Sequence, residues 1–168
     1  MLARRLAEAL GYPHVELDAL HWAPNWVERP DDAFRELAVA ATAGDRWILD
    51  GNYRPIRDAV WPRATAVIWL NYGFGTVFGR ALARTWRRSI SGETLFSGNR
   101  ETLGRALFHR DSILRWVILT WAARRRRFGD LRASGRYPQL EWFELRTPAQ
   151  AEALVADVAR ARAAGSPP

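Results

Sequence analysis

The chain predicts an α/β fold with a mostly parallel sheet, built as one domain over residues 1–168. Three observations carry this expectation. Short apolar runs alternate with helical patterns along the chain. Ala66-Val67-Ile68-Trp69-Leu70 is a continuous apolar run, as expected of a parallel strand covered on both faces. A length of 168 residues is one domain by default and enough to bury a real core.

The elements follow in order. Leu2, Leu6 and Leu10 share one helical face, and Gly11 supplies a stop. No side chain caps this helix at its start. A short strand fits His14 to Leu17. Pro30-Asp31-Asp32 opens a helix that runs to about Ala43, and Gly44-Asp45 turns the chain. Arg46 to Asp50 is a compact strand ended by Gly51. A short helix is expected around Ile56 to Trp61, then the strand Ala66–Leu70. A helix from about Gly75 to Arg88 precedes a loop-like stretch, Ser89 to Asn99. A long helical pattern spans about Glu101 to Phe128. Leu140 to Leu145 reads as a last strand. Thr147 caps a final helix with Pro148 at its first position.

Charge is unevenly placed. The chain has 25 arginines and no lysine. Residues 80–136 hold 14 of those arginines against four acids, so the net charge of +7 resides in that segment. Such a block reads as a surface built to meet phosphate or another polyanion. Codon bias accounts for missing lysine but not for the clustering. With no cysteine, disulfides and Cys-based sites are excluded. His14, His21 and His109 are too few and too scattered for a typical His zinc site. Trp116 to Ala123, the longest apolar stretch, is far short of a membrane span. No signal peptide is visible, so a cytoplasmic location and no membrane partner are expected.

In open parallel sheets, ligands bind at the carboxyl ends of the strands. Two expected strands end with a carboxylate, Asp18 and Asp50. Hydrophobic residues followed by Asp-Gly is the shape of a magnesium-supporting acid in nucleotide-binding enzymes. A strand-ending Asp also serves as a helix cap or turn former. Asn52, Tyr53, Arg54 and Arg57 follow Asp50 at once, offering hydrogen bonds and two guanidiniums for phosphate.

Three runs carry a family resemblance: Glu16-Leu17-Asp18-Ala19-Leu20-His21-Trp22, Trp47-Ile48-Leu49-Asp50-Gly51-Asn52-Tyr53 and Ser97-Gly98-Asn99-Arg100-Glu101. Together they resemble the P-loop kinase-like proteins often labelled topology modulation proteins or adenylate kinase-related. The resemblance covers about Leu2 to Thr147. It implies a P-loop NTPase-like three-layer sandwich with an arginine-rich helical lid over about 80–136. It also implies that the first, central strand and the glycine-rich Walker A loop stand ahead of Leu2. Neither is in this sequence, and the absent lysine agrees. A misplaced start is favoured over a remnant.

The function implied is an ATP-dependent phosphotransferase of the nucleoside or nucleotide kinase type, with ATP and Mg²⁺ as cofactors. Its partners would be a nucleotide and a small-molecule phosphate acceptor. Without the loop, the chain as written is expected to be inactive. By resemblance Asp50 is the acid that supports magnesium. Asp18 and His21 flank the acceptor pocket, Asn52 binds the substrate, and Arg54 and Arg57 hold the acceptor's phosphate or another anionic group. Arg84, Arg87 and Arg88 are lid arginines that reach the transferring phosphate, with Arg84 and Arg88 acting on its transition state. Asn71 stands where the family often has Asp. The alternative is an arginine-rich nucleic-acid-binding protein. Asp18 and Asp50 weigh against it, because strand-end acids would repel a nucleic-acid backbone.

Overall fold

The computed structural model describes residues 1–91 and 113–165 and is mixed α/β. The described chain forms two compact units, residues 1–65 with 147–168 and residues 66–146. The expected loop at Ser89 to Asn99, the run Ser97–Glu101 and the start of the helix at Glu101 lie largely outside the described residues.

In the first unit, helix α1 (Leu2–Leu10) turns its leucine face inward, with Leu6 and Leu10 buried. Gly11 ends it at φ 65°, the left-handed conformation that glycine adopts without a side-chain penalty. Strand β1 (His14–Glu16) follows, then the one-turn helix α2 (Leu17–His21). A small hairpin, β2 (Trp22–Ala23) and β3 (Val27–Glu28), leads into α3 (Asp31–Ala41). Asp31 and Asp32 in its first turn complement the helix dipole. Strand β4 (Ile48–Asp50) pairs in parallel with β1, and α4 (Arg54–Val60) comes next. Helix α7 (Pro148–Ala163) closes the unit with a complete capping box between Thr147 and Gln150. Leu17, Phe34, Ala38, Ile56 and Val60 form the core, each essentially buried.

In the second unit, β5 (Ala66–Leu70) pairs in parallel with β6 (Glu141–Leu145) over its whole length. Between them run α5 (Phe74–Ser91) and α6 (Ile113–Ala133). Ala81 of α5 and Val117 of α6 form a small core with Val77 and Phe78.

Three expectations need correction. Asp18 does not end a strand. β1 stops at Glu16, and Asp18 sits in the first turn of α2, where a carboxylate suits the helix amino terminus. The hairpin at Trp22–Glu28 carries no alternating run long enough to announce itself. β5 is half-buried and not covered on both faces, with Leu70 45 % exposed. Its apolar run therefore signals pairing with β6 more than full enclosure. Helix α6 also passes Gly129 and continues to Ala133. One helical glycine costs only about 1 kcal/mol against alanine. The stacking of Phe128 on Trp69 and the Arg132–Glu144 ion pair hold that last turn.

Candidate functional site

The parallel register of β1 and β4 sets His14 opposite Ile48 and Glu16 opposite Asp50. His14 and Glu16 are two apart on one strand, so both point to the face that carries Asp50. The imidazole lies between the two carboxylates. Nδ1 is 3.8 Å from Glu16 Oε1, and Nε2 is 3.9 Å from Asp50 Oδ2. These distances allow charge attraction and exceed a hydrogen bond. Arg4 on α1 reaches Glu16 Oε1 at 2.9 Å.

Asp50 therefore stands at the carboxyl end of β4 in a crowded acidic setting. Burial raises its pKa above the ordinary carboxylate value; His14 opposes that rise, and Asp18 and Glu16 add to it. Gly51 follows at φ 117°, and a side chain there would meet Leu17 Cβ at 3.0 Å. Glycine lets the chain leave Asp50 against the core without displacing Leu17.

A second group of side chains gathers from α2, α3 and the turn into α4. Tyr53 Oη donates to Asp18 Oδ1 at 2.6 Å. Burial, with the Asp18 carboxylate beside it, pushes the phenol's pKa up and keeps it a donor. His21 is buried, its ring 4.5 Å from that of Tyr53, 5.0 Å from Phe34 and 4.9 Å from Trp22. Its Nε2 lies 3.9 Å from Glu28 Oε1, and its buried Nδ1 has no hydrogen-bond partner among the described residues. Arg57 donates to Asn52 Oδ1 at 3.0 Å and lies 4.9 Å from the centroid of Trp61. Arg54 opens α4 and is exposed.

Thus the first unit brings Asp18, His21, Asn52, Arg57 and Asp50 into neighbouring positions at one end of the β1–β4 pair. Arg84, half-buried, and Arg87, exposed, belong to α5 of the second unit. The side chain of Arg88 lies outside the described residues. Asn71 is buried, and its Nδ2 donates to Glu144 Oε1 at 2.6 Å, so its amide is already committed. Sequence reasoning named Tyr53 only as a hydrogen-bonding neighbour of Asp50 and missed His14 and Glu16 as members of the site. Their signal was the His-x-Glu alternation beside the Ile-Leu-Asp strand, which only a strand register turns into proximity. Comparison with known protein families, characterised proteins and solved structures finds no match to this chain.

Proposed function

We propose that this chain carries the acceptor and metal side of an ATP-dependent phosphotransferase of the nucleoside or nucleotide kinase type, on a P-loop-type sheet. The observation that carries the reading is the placement of Asp50. It is a half-buried carboxylate at the carboxyl end of a parallel strand, with Glu16 opposite it and His14 and Asp18 near it. Two parallel strand pairs support a parallel-sheet fold of this class.

Magnesium is commonly held by one or two carboxylates, waters and the substrate's own phosphates. No group of three or more ligating side chains occurs among the described residues, so an all-protein cage does not fit. A single supporting carboxylate does fit, and Asp50 would fill that role with Glu16 nearby. The ion would neutralise charge on the phosphates. The donor's phosphates have no lysine in this chain.

The other steps fall to this chain's side chains. Tyr53, held protonated, occupies one oxygen of Asp18 and fixes that carboxylate. The other oxygen is left to accept from the acceptor's hydroxyl and orient it for attack. Arg57, braced by Asn52 and Trp61, and Arg54 beside it would hold an anionic group on the acceptor.

The test is γ-phosphate transfer from magnesium–ATP to a panel of nucleosides and nucleoside monophosphates. It uses a chain extended upstream with a glycine-rich, lysine-bearing loop. Transfer to at least one acceptor is expected, reduced by roughly 10² or more in Asp50→Asn. No transfer to any acceptor, or equal turnover in Asp50→Asn, contradicts the reading.

A further inference from the structure

The second unit carries a feature that phosphoryl transfer at Asp50 does not use. A groove of about 580 Å³ opens between α6 and the β5–β6 pair. Arg125, Arg126 and Arg132 of α6 line it, with Arg146 beyond β6, and among the described residues Glu144 is the one carboxylate in its wall. Both oxygens of Glu144 are engaged. Oε1 accepts from Asn71 Nδ2 at 2.6 Å and from Arg146 Nε at 2.9 Å, and Oε2 accepts from Arg132 at 3.3 Å. One negative charge against four guanidiniums leaves the groove strongly positive. A concave wall concentrates that field.

We propose that this groove binds the phosphate backbone of single-stranded nucleic acid. Arginines beside half-buried aromatic rings suit a flexible strand held through its backbone without readout of its sequence. Trp69 and Trp121 line the same groove, and the Arg125 guanidinium lies 5.6 Å from the Trp121 ring centroid. The volume is that of a small-ligand site. Arg124 and Arg127 are exposed on α6 next to the groove, so the positive strip continues past its wall. A mononucleotide would use only the groove, whereas a strand also meets the strip. The acids that argue against a nucleic-acid backbone, Asp18 and Asp50, belong to the first unit.

Glu144 gives the proposal a signed test. It restrains Arg132 and Arg146, so removing its charge should strengthen strand binding. Fluorescence anisotropy of a labelled oligothymidine with the 168-residue chain, titrated against salt, reads this directly. The logarithm of affinity should fall against the logarithm of salt with a slope of about −2, near three neutralised phosphates on a single strand. Arg126→Glu should weaken binding roughly fivefold or more at about 50 mM salt, while Arg160→Glu, on α7 of the first unit, should change it less than about twofold. Glu144→Gln should tighten binding a few-fold and steepen the slope. Thermal unfolding of each variant separates these effects from misfolding. Should Glu144→Gln unfold the chain, the Arg126 and Arg160 pair decides alone. Equal losses from Arg126→Glu and Arg160→Glu would reduce the effect to bulk charge and overturn the site. So would weaker binding in a folded Glu144→Gln. Competition by ATP as strong as by oligothymidine at equal phosphate concentration would make it a nucleotide site and overturn the single strand. Binding here does not depend on phosphoryl transfer, so either proposal can fail without the other.

Discussion

Asp50 is the residue on which the functional reading turns, and its charge has a consequence for stability. Burial raises its pKa in the folded state, so the folded chain keeps that proton to higher pH than the unfolded chain. Between the ordinary carboxylate value and the raised one, the folded state binds more protons, and stability falls as pH rises through that window. Asp50→Asn cannot lose a proton and should escape the fall. Urea midpoints from about pH 4 to about pH 7 should show the variant gaining on the wild type as pH rises. A constant gap would mean that Asp50 is not held in an unfavourable setting. Tyr53→Phe is the companion test, because it removes the donor to an exposed carboxylate. Its stability cost should be small, about 0.5 kcal/mol. Its effect on transfer in the extended chain should be on turnover, through a loosened Asp18. At this scale an Asp-Gly step after an apolar strand, a weak signal by itself, marked Asp50 as a candidate, and Arg57 followed it closely in the sequence. His14 and Glu16 were not legible, since their nearness to Asp50 depends on which residue faces which across β1 and β4.

Elements were read well where periodicity ran long, as in α1, α3, α5 and α7. They were read poorly where tertiary contacts decide. α6 outruns its glycine because Trp69 and Glu144 hold its end. The β2–β3 hairpin rests on two-residue strands and on Asn25 and Trp26 at φ 63° and 59°. No simple sequence rule foresees left-handed backbone at a tryptophan, which costs on the order of 1 kcal/mol or more. The capping box of α7 makes a clean prediction. Thr147→Ala leaves the Gln150 amide without its side-chain acceptor and should destabilise the first unit by about 1 kcal/mol. Phe34, wholly buried at the centre of that unit's core, should cost about 3–5 kcal/mol as alanine. Chemical denaturation reads both, and a smaller loss for Phe34→Ala than for Thr147→Ala would overturn the core assignment.

Across the whole molecule, chemistry and charge divide between the two units. Asp18 and Asp50 with the side chains around them belong to the first, and the arginine groove to the second. The sequence already displayed this division as an acidic balance outside residues 80–136 and a basic one within. Missing from it was the way Glu144, read only as part of a strand, ties Arg132 and Arg146 together. Glu144 is held below the usual carboxylate range, chiefly by hydrogen bonds from Arg146 and Asn71. Its contribution to stability is therefore present above the unfolded value and is lost as pH falls through the folded one. On the proposed function, the strand-end carboxylate of Asp50 supports a divalent ion. The most direct measurement is paramagnetic broadening of amide signals by manganese, standing in for magnesium, in the 168-residue chain with and without ADP. Broadening should centre on residues 16–18 and 50–52 and be lost in Asp50→Asn, with no gain from ADP while the glycine-rich loop is absent. Broadening centred elsewhere, or unchanged in Asp50→Asn, would contradict that role.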